Sequence, residues 1–380
     1  MLSIFLTGDN HFGREYEHSE YTPEVRERLR ESRFLSLEDA VNAANRDDAD
    51  IFAVSGDLFD RINVGRRTVG RVVDILSHFD GQVLVLPGNH DFYSGSEEVW
   101  TNFEVCTAEN DRIILLKECR PYEVKTDAGN VVVYPAPCNG KHSDNNMLGW
   151  IKEQTFPDDG AYRIGMAHGA IEGVSPDRER RYFLMTPQEL GSIPVDVWLI
   201  GHTHIEYPAD LSTEKFTSCG KIFNAGTHQP LDKSENCEGS CFEIQLDNGG
   251  VTARKVHTGR LAFDTSILKL NASPEDYTCL KDKLLKLVKG HEDDTLFSVT
   301  LEGTITPEEY AEREEIYSEL RDRCLWFSAN DSGLSMIYTE KRIDDEYPET
   351  SFANRLLKRL LSDPVEVRMA DELLKKSRIN

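Results

Sequence analysis

Five short clusters of acidic, amide and imidazole side chains stand out in the sequence, and each follows a short apolar run. In chain order they are Gly8-Asp9-Asn10-His11, Gly56-Asp57-Leu58-Phe59-Asp60, Gly88-Asn89-His90-Asp91, His168-Gly169 and Gly201-His202-Thr203-His204. The apolar runs predict strands, and in an α/β sheet the carboxyl ends of the strands gather at one edge, where ligand sites form. These side chains are therefore expected to share one site.

The types of side chain in these clusters indicate metal chemistry. Carboxylate, amide oxygen and imidazole together suit divalent Mn²⁺, Fe²⁺ or Zn²⁺ better than an all-oxygen magnesium cage. The set is larger than one ion requires, and two ions about 3.5–4 Å apart can hold a phosphoryl oxygen and activate a water. A single cluster could be a polar turn, and a single histidine at a strand end is usually structural. Five clusters, each behind a predicted strand, favour a two-metal site.

Strands and helices are predicted to alternate from residue 1 to about 258. The apolar runs that predict strands are Ile4–Thr7, Ile51–Ser55, Gln82–Leu86, Val131–Tyr134, Arg163–Ala167 and Val197–Ile200. Helical spacing occurs in Ser36–Asn45, Arg66–His78 and Glu97–Ala108. Further strands are predicted at Lys221–Asn224, Gly239–Gln245 and Val251–Val256. This alternation is typical of an α/β domain, and its last part is predicted to consist mostly of strands.

The pattern changes near residues 259 to 263, where a smaller α/β domain is predicted to begin. Its predicted elements are Ser266–Leu270, Pro274–Val288, Leu296–Leu301, Pro307–Arg321, Cys324–Ser328 and Ser335–Tyr338, in the order strand, helix, strand, helix, strand, strand. Pro274 and Pro307 lie near helix starts and are followed by acidic residues, as a first turn prefers. Two short helices, Ser351–Leu361 and Val365–Lys376, are predicted to close the chain. The predicted domains cover residues 1–258, 259–345 and 346–380.

The formal net charge of −24 is unusual for a protein that binds nucleic acid. Affinity for phosphate depends mostly on Lys and Arg. Net charge, however, governs solubility and long-range steering rather than one local patch, and bound metal ions add positive charge. The acidity therefore does not exclude a nuclease.

The cysteines and the hydropathy pattern indicate a cytoplasmic protein. Among the eight cysteines only Cys237 and Cys241 are close together, and no second pair completes a zinc site. Reduced thiols in a reducing compartment are expected. No apolar run approaches the roughly 20 residues of a membrane span. The first run, Leu2–Thr7, lacks the basic flank and the length of a signal peptide. We expect a chain that begins at its first strand and has no membrane partner.

The ordered motifs GDxH, GDxxD, GNHD, HG and GHxH resemble those of the calcineurin-like metallophosphoesterase superfamily. They are most similar to its SbcD-type branch, the nuclease subunits of double-strand-break-repair complexes. The motifs span residues 8 to 204, and a weaker resemblance continues through Asn224-Ala225-Gly226-Thr227 and the second domain. The stretch from Ser175-Pro176-Asp177 to Tyr182-Phe183 also resembles bacterial exonucleases of this type.

The resemblance implies a role for each motif residue around two divalent ions, with Mn²⁺ the expected metal and Fe²⁺ or Zn²⁺ the alternatives. The ligands it implies are Asp9, His11 and His204 for one ion, Asn89, His168 and His202 for the other, and Asp57 bridging both. His90 would not be a ligand. It would face the substrate, stabilising the transition state or protonating the leaving oxygen, and Asp60 would orient it.

The resemblance also implies a fold and partners. The fold is a four-layer α-β-β-α sandwich followed by a small α/β capping domain that helps select and orient DNA. A long coiled-coil ATPase of the SbcC type and a homodimer are the implied protein partners. A docking face for the ATPase is predicted on the first closing helix, at Arg355, Leu356, Leu357, Lys358, Arg359 and Leu360. The alternative is that these residues cover the sheet of the cap.

Basic and aromatic residues near the motifs are candidates for contact with substrate. Arg61 completes a GDxxDR run that resembles phosphoprotein phosphatases, where such an arginine grips phosphate, although Ile62 replaces the glycine expected next. Candidate contacts with a DNA backbone are Arg61, Arg66, Arg67 and Arg71. A second candidate set is Arg178, Arg180 and Arg181, whose positive charge is partly offset by Asp177 and Glu179 between them. A solvated helix face is an equal alternative for the first set. Tyr182 and Phe183 are candidates for base stacking, with burial in the core as the more ordinary alternative.

The sequence thus predicts a Mn²⁺-dependent DNA nuclease, an exonuclease with some endonuclease activity, that acts in repair or recombination. A phosphodiesterase or phosphatase for small molecules or phosphoproteins is the first alternative, supported by Arg61 and by the acidic charge. A catalytically weak scaffold that binds DNA ends or an ATPase is the second. The complete ligand set argues against the scaffold.

Overall fold

The computed structural model describes residues 1–17, 20–175, 177, 179–235, 237–247, 249–272, 280–289 and 293–377. The chain forms two compact units, Met1–Ala262 and Phe263–Asn380. The first unit contains all five clusters of polar side chains.

The first unit alternates strands with helices over most of its length. Its strands are β1 (Leu2–Thr7), β2 (Ile51–Val54), β3 (Gln82–Val85), β4 (Ile113–Leu115), β5 (Tyr122–Thr126), β6 (Gly129–Ala136), β7 (Tyr162–His168), β8 (Val197–Gly201), β9 (Glu206–Tyr207), β10 (Thr217–Cys219), β11 (Ile222–Ala225), β12 (Ser240–Asp247) and β13 (Gly250–His257). Its helices are α1 (Pro23–Arg46), α2 (Arg66–Ser77), α3 (Glu98–Thr107), α4 (Gly149–Lys152) and α5 (Pro187–Ser192).

Two sheets form the centre of this unit. One has the strand order β10-β13-β12-β1-β2-β3-β4, and the other has the order β5-β6-β7-β8-β11-β9. Apolar side chains of both sheets, such as Ile4 and Leu84 from the first and Ile164 and Leu199 from the second, form one buried cluster between them. Helices α1 to α3 pack on the outer face of the first sheet, and α4 and α5 pack on the outer face of the second. The predicted four-layer α-β-β-α sandwich is confirmed.

The pairing of the strands brings the polar clusters together. In the first sheet β1, β2 and β3 are parallel neighbours, and in the second sheet β7 and β8 are parallel neighbours. The five clusters lie at the carboxyl ends of these five strands and in the loops that follow them. Because neighbouring parallel strands end at the same edge of a sheet, the loops leave each sheet side by side.

Helix α1 is much longer than the predicted Ser36–Asn45. It begins after Thr22, whose side chain accepts a hydrogen bond from the Val25 amide, and Pro23 occupies the first turn. Its amino-terminal half is rich in charged residues, so hydropathy gave little helical signal there. One of those residues, Arg33, is nevertheless only 2% exposed.

The second unit has a three-stranded sheet with helices. Its strands are β14 (Ala262–Asn271), β15 (Thr295–Ile305) and β16 (Trp326–Met336), and its helices are α6 (Leu280–Val288), α7 (Pro307–Arg321), α8 (Glu340–Glu346), α9 (Phe352–Arg359) and α10 (Pro364–Ser377). Apolar residues of α6, α7 and the sheet, among them Leu284, Leu320 and Phe297, form its main buried cluster. The small α/β domain predicted after the sandwich is therefore present. The predicted start of α6 at Pro274 lies outside the described residues.

Two details of the second unit differ from the sequence prediction. Cys324–Ser328 and Ser335–Tyr338 are not two strands, because one long strand, β16, covers most of both and pairs with β15 in parallel with a register shift between Thr300 and Glu302. Among the described residues, the buried side chains of the closing helices form a cluster separate from that of the sheet. Leu357 of α9 is fully buried against Ile343 of α8 and Val367 of α10 in a separate cluster.

The described residues contain no helix that is long and apolar enough to cross a membrane. Their cysteines are free thiols.

Candidate metal centre

The loops after β1, β2 and β3 meet the loops after β7 and β8 at one end of the sandwich. Seven predicted ligands come together there, namely Asp9, His11, Asp57, Asn89, His168, His202 and His204. All of them except His202 and His204, which are partly exposed, are buried.

The backbone of these loops is bent sharply at the ligands themselves. Asp9 (φ 49°), His11 (φ 49°) and Asp57 (φ 50°) adopt left-handed conformations, as do His202 (φ 115°) and His204 (φ 52°). Such conformations are costly for residues other than glycine and persist only where the surroundings enforce them. Main-chain hydrogen bonds between the first two loops, from Asp9 to Gly56 and from His11 to Asp57, contribute to this.

The first group of donors consists of Asp9, His11 and His204, whose ligand atoms lie within 4.8 Å of one another. The Nε2 atoms of His11 and His204 face each other at 3.2 Å. His204 Nε2 is 3.6 Å from Asp9 Oδ1. Three donor atoms thus point toward one small volume.

The second group consists of Asp57, His168 and His202, and Asn89 completes it. Asn89 Oδ1 lies 3.0 Å from His168 Nε2 and 2.8 Å from His202 Nδ1. The other ring nitrogen of His168 orients the side chain, because this Nδ1 atom lies 2.9 Å from the Ser55 carbonyl oxygen.

Asp57 lies between the two groups. Its Oδ2 is 3.8 Å from His11 Nε2 of the first group and 3.3 Å from His168 Nε2 of the second. Its Oδ1 accepts a hydrogen bond from the His90 amide at 2.8 Å. One carboxylate oxygen is therefore fixed by the backbone, while the other is shared between the two groups.

His90 and Asp60 lie beside the first group, but their contact differs from the expected one. His90 Nδ1 is 3.1 Å from the main-chain carbonyl oxygen of Asp60. The Asp60 carboxylate instead lies 3.4 Å from His11 Nδ1 and 3.9 Å from Arg14. The prediction that the Asp60 carboxylate orients His90 is therefore wrong, because this carboxylate faces His11 and His90 contacts only the main chain of Asp60. Donor atoms of His90, His11 and Asp57 also lie within 4.8 Å of one another.

Burial and mutual contacts set the protonation of the centre. Burial raises the pKa of Asp9. At Asp57 burial acts in the same direction, but the charge and hydrogen bond of His168 together with the charges of His11 and His90 outweigh it and lower the pKa. Burial lowers the pKa of His11 to about 4 and that of His202 to about 3. At His168 burial is outweighed by Asp57, Asp9 and the Ser55 carbonyl together, which raise the pKa to about 9. A metal bound to His168 would displace that proton.

These residues fit divalent metal ions. Asp9 and Asp57 are almost completely buried, and in the described part of the chain their ion-pair partners are imidazoles rather than Lys or Arg. Burying two carboxylates without a compensating cation is costly. The donor set of carboxylate, amide oxygen and imidazole is the set that borderline divalent metals prefer.

A buried polar network supports the loop after β1. Arg33 of α1 donates to the Asn10 carbonyl and to those of Gln229 and Pro230. The Asn10 side chain contacts His228 Nδ1 at 2.9 Å, and His228 Nε2 returns to the Arg33 carbonyl at 2.9 Å. The network ties α1 to the loop that carries Asp9 and His11, and it was not predicted.

The arginines proposed as phosphate contacts lie at the surface. Arg61 forms an ion pair with Glu15. Arg66 and Arg67 are exposed in the first turn of α2. Arg71 pairs with Glu31 at 2.5 Å, so it joins α2 to α1.

The second basic set and its aromatic neighbours lie beside the other group of donors. Arg180 and Arg181 pair with glutamates at 3.6 and 3.3 Å, and Arg178 lies outside the described residues. Phe183 is buried, which agrees with the more ordinary alternative. The partly exposed Tyr182 ring lies 4.8 Å from the His202 ring, measured between centroids.

Two further residues near the centre were missed in the sequence. Arg14, directly after the first motif, lies 3.5 Å from Asp232 and 3.9 Å from Asp60, and its side chain is 33% exposed. Glu235 contacts His204 Nδ1 at 2.5 Å. Arg14 follows a motif closely enough to have been considered, whereas Glu235 lies in a loop without any sequence signal.

Comparison with known proteins finds a distant relative. A relative from Bacillus subtilis (strain 168), described as the uncharacterized metallophosphoesterase YhaO, is 26% identical over 264 residues. The match covers 66% of this chain and only 59% of the relative. The protein therefore spans less than two thirds of that relative's length.

Solved structures with a similar arrangement have low identity. The protein TT1561 of Thermus thermophilus is 13% identical with a TM-score of 0.40, covering 66% of this chain and 97% of its own. Purple acid phosphatase PPD1 from yellow lupin (Lupinus luteus) is 11% identical with a TM-score of 0.41, covering 68% of this chain and 51% of its own. The model of the calcineurin-like phosphoesterase family matches residues 2–206, more than half of the chain, and the protein belongs to that family.

Proposed function

We propose that this phosphoesterase is a two-metal nuclease of the SbcD type that hydrolyses the phosphodiester backbone of DNA. The observation that carries the two-metal part is the position of Asp57 Oδ2, which faces His11 of one donor group and His168 of the other. A carboxylate in this position is suited to bridge two ions. Bound there, the ions would supply a water of lowered pKa and positive charge next to the phosphorus.

His90 is the proposed catalytic residue of the chain. The carbonyl oxygen of Asp60 can only accept a hydrogen bond, so the proton of His90 lies on Nδ1. Nε2 is then the atom available to the substrate. In its protonated form it would donate to the leaving oxygen of the phosphodiester.

Two features near the centre support an extended nucleic-acid substrate. The Tyr182 ring beside His202 offers a partly exposed face for a base. Arg14 lies 3.9 Å from Asp60 and 3.5 Å from Asp232, so its guanidinium is held loosely enough to turn to a backbone phosphate. Arg61, the residue that favoured a phosphatase, already has an anionic partner in Glu15.

The first test is a gel time course with end-labelled single- and double-stranded DNA and Mn²⁺. Wild type is compared with Asp57→Ala and with Asp158→Ala, a matched control at an exposed acidic residue. We expect cleavage by wild type and by the control and none by Asp57→Ala. The product ladder would also give the polarity.

Small substrates separate the alternatives. Hydrolysis of bis(4-nitrophenyl) phosphate without any cleavage of DNA would contradict the DNA proposal and favour a small phosphodiester. Faster hydrolysis of 4-nitrophenyl phosphate than of either would favour a phosphatase. Stoichiometric metal without turnover of any phosphoester would favour the scaffold. The manganese preference, the cytoplasmic location, the ATPase partner and the homodimer stay predictions.

A further inference from the structure

The loop between β11 and β12 returns to the metal centre and places one acidic side chain behind a predicted ligand. Glu235 uses both of its carboxylate oxygens there. Oε1 lies 2.5 Å from His204 Nδ1, and Oε2 accepts a hydrogen bond from the Leu231 amide at 2.6 Å. The Glu235 side chain is only 12% exposed, so the contact is shielded from water.

The contact determines which nitrogen of His204 is free. An ionised carboxylate can only accept, so Nδ1 carries the proton and donates it to Glu235. In the neutral ring Nε2 is then the unprotonated nitrogen, and it is directed at Asp9 Oδ1 and His11 Nε2, at 3.6 and 3.2 Å. This is the tautomer and the orientation that a metal ligand needs.

The two donor groups are supported differently. In the first group His11 Nδ1 faces the Asp60 carboxylate and His204 Nδ1 faces the Glu235 carboxylate. In the second group His168 Nδ1 faces the neutral Ser55 carbonyl oxygen. His202 Nδ1 faces Asn89 Oδ1, which is itself a donor of that group, so this contact lies within the site and not behind the histidine. Charged acceptors behind a histidine raise its strength as a ligand more than neutral ones do.

We propose that Glu235 is a positioning residue for His204 and that it makes the Asp9 group the tighter of two unequal metal positions. The inference rests on the two-metal centre but not on the identity of the substrate. The Asp9 group gains two outer carboxylates, Asp60 and Glu235. The Asn89 group gains none among the contacts described above. The first ion is therefore expected to bind beside Asp9 and the second beside Asn89.

The test is a titration of metal-free protein with Mn²⁺. Binding is measured by isothermal titration calorimetry and, independently, by the electron paramagnetic resonance signal of the Mn²⁺ that remains free. Wild type should show a tighter and a weaker class of site. Glu235→Gln should weaken the tighter class about 10- to 100-fold, with the weaker class changed less than about threefold. Glu238→Gln, an exposed residue of the same loop, is the matched control and should bind as wild type does.

A ligand variant assigns the classes. Asn89→Ala should remove the weaker class and leave the tighter one. The thermal midpoint of metal-free Glu235→Gln should equal that of wild type within about 2 °C, since a merely structural role would lower it.

Three results would overturn the proposal. They are unchanged Mn²⁺ binding by Glu235→Gln, equal weakening of both classes together with a lower thermal midpoint, and loss of the tighter class in Asn89→Ala. Wild type that binds no Mn²⁺, Fe²⁺ or Zn²⁺ would refute the metal centre itself. Tight binding by a wild type that does not cleave DNA would count only against the nuclease.

Discussion

Substituting one glycine tests whether the position of Asp57 determines activity. A Cβ atom on Gly88 would lie 2.2 Å from Asp57 Oδ1 and 2.3 Å from the Asp57 amide nitrogen. Cβ atoms essentially never approach other heavy atoms below 3.0 Å, and ordinary contact begins at 3.4 Å. Gly88→Ala must therefore move the two groups apart by roughly 1 Å.

The loop of Gly88 cannot easily yield. Its amide donates to Asp91 Oδ1 at 2.7 Å, and Asp91 Oδ2 accepts from the Phe59 amide at 2.9 Å. Both ends of the Asp91 carboxylate are thus fixed, so the displaced group should be Asp57. A misplacement of about 1 Å at a reacting centre costs on the order of 100-fold in rate, or about 2.7 kcal/mol of transition-state stabilisation.

The assay is hydrolysis of bis(4-nitrophenyl) phosphate with Mn²⁺, because it reports on the centre whatever the natural substrate is. Gly88→Ala should lower kcat/KM about 100-fold and lower the Mn²⁺ content. Gly149→Ala is the control, since nothing lies within 4 Å of its added Cβ. Wild-type turnover and metal content in Gly88→Ala would refute the argument that this glycine seats Asp57.

Three stability predictions follow from other contacts. Thr306→Ala removes the capping box that Thr306 forms with Glu309 and should lower the free energy of unfolding by about 1 kcal/mol in urea; an unchanged midpoint would contradict this. Arg33→Met leaves buried carbonyls without a donor and should cost about 3 kcal/mol; a loss below about 1 kcal/mol in the same titration would show that water replaces the guanidinium. At Asp371 burial opposes ionisation, but hydrogen bonds from Lys375 and two tyrosines outweigh it and lower the pKa. The ionised Asp371 therefore contributes its full stabilisation above about pH 4, and this stabilisation is lost as the pH falls through the lowered pKa. The thermal midpoint of Asp371→Asn should lack this acid dependence. Midpoints of wild type and variant that fall in parallel with pH would argue against it.

The chemistry of the centre was largely predictable because it depends on residue type at strand ends. Apolar runs before Asp9, Asp57 and Asn89 predicted buried strands, and the rule that parallel strands end together then brought their side chains to one edge. The sandwich layers followed from the same alternation together with the family resemblance. The strands themselves extend only one or two residues beyond or short of most predicted bounds.

The remainder depends on contacts between distant residues, which hydropathy does not encode. Glu235 reaches His204 from a loop that has no regular structure of its own. Asp60 was assigned to His90 from proximity in sequence, although its carboxylate turns to His11. Arg33 lies in a charged stretch and becomes buried only because three carbonyl oxygens surround it. Such partners become visible only in three dimensions.

The pairing of β1 has a consequence for making shorter versions of this protein. Residues 2–206 match the family model and include all seven predicted ligands. Yet β1, which leads into Asp9 and His11, pairs along its length with β12, from Leu2 opposite Leu246 to Leu6 opposite Phe242. A fragment that stopped at residue 206 would expose this strand as a long apolar edge, prone to aggregation. During synthesis, likewise, the ligands should be ready for metal only after β12 has left the ribosome.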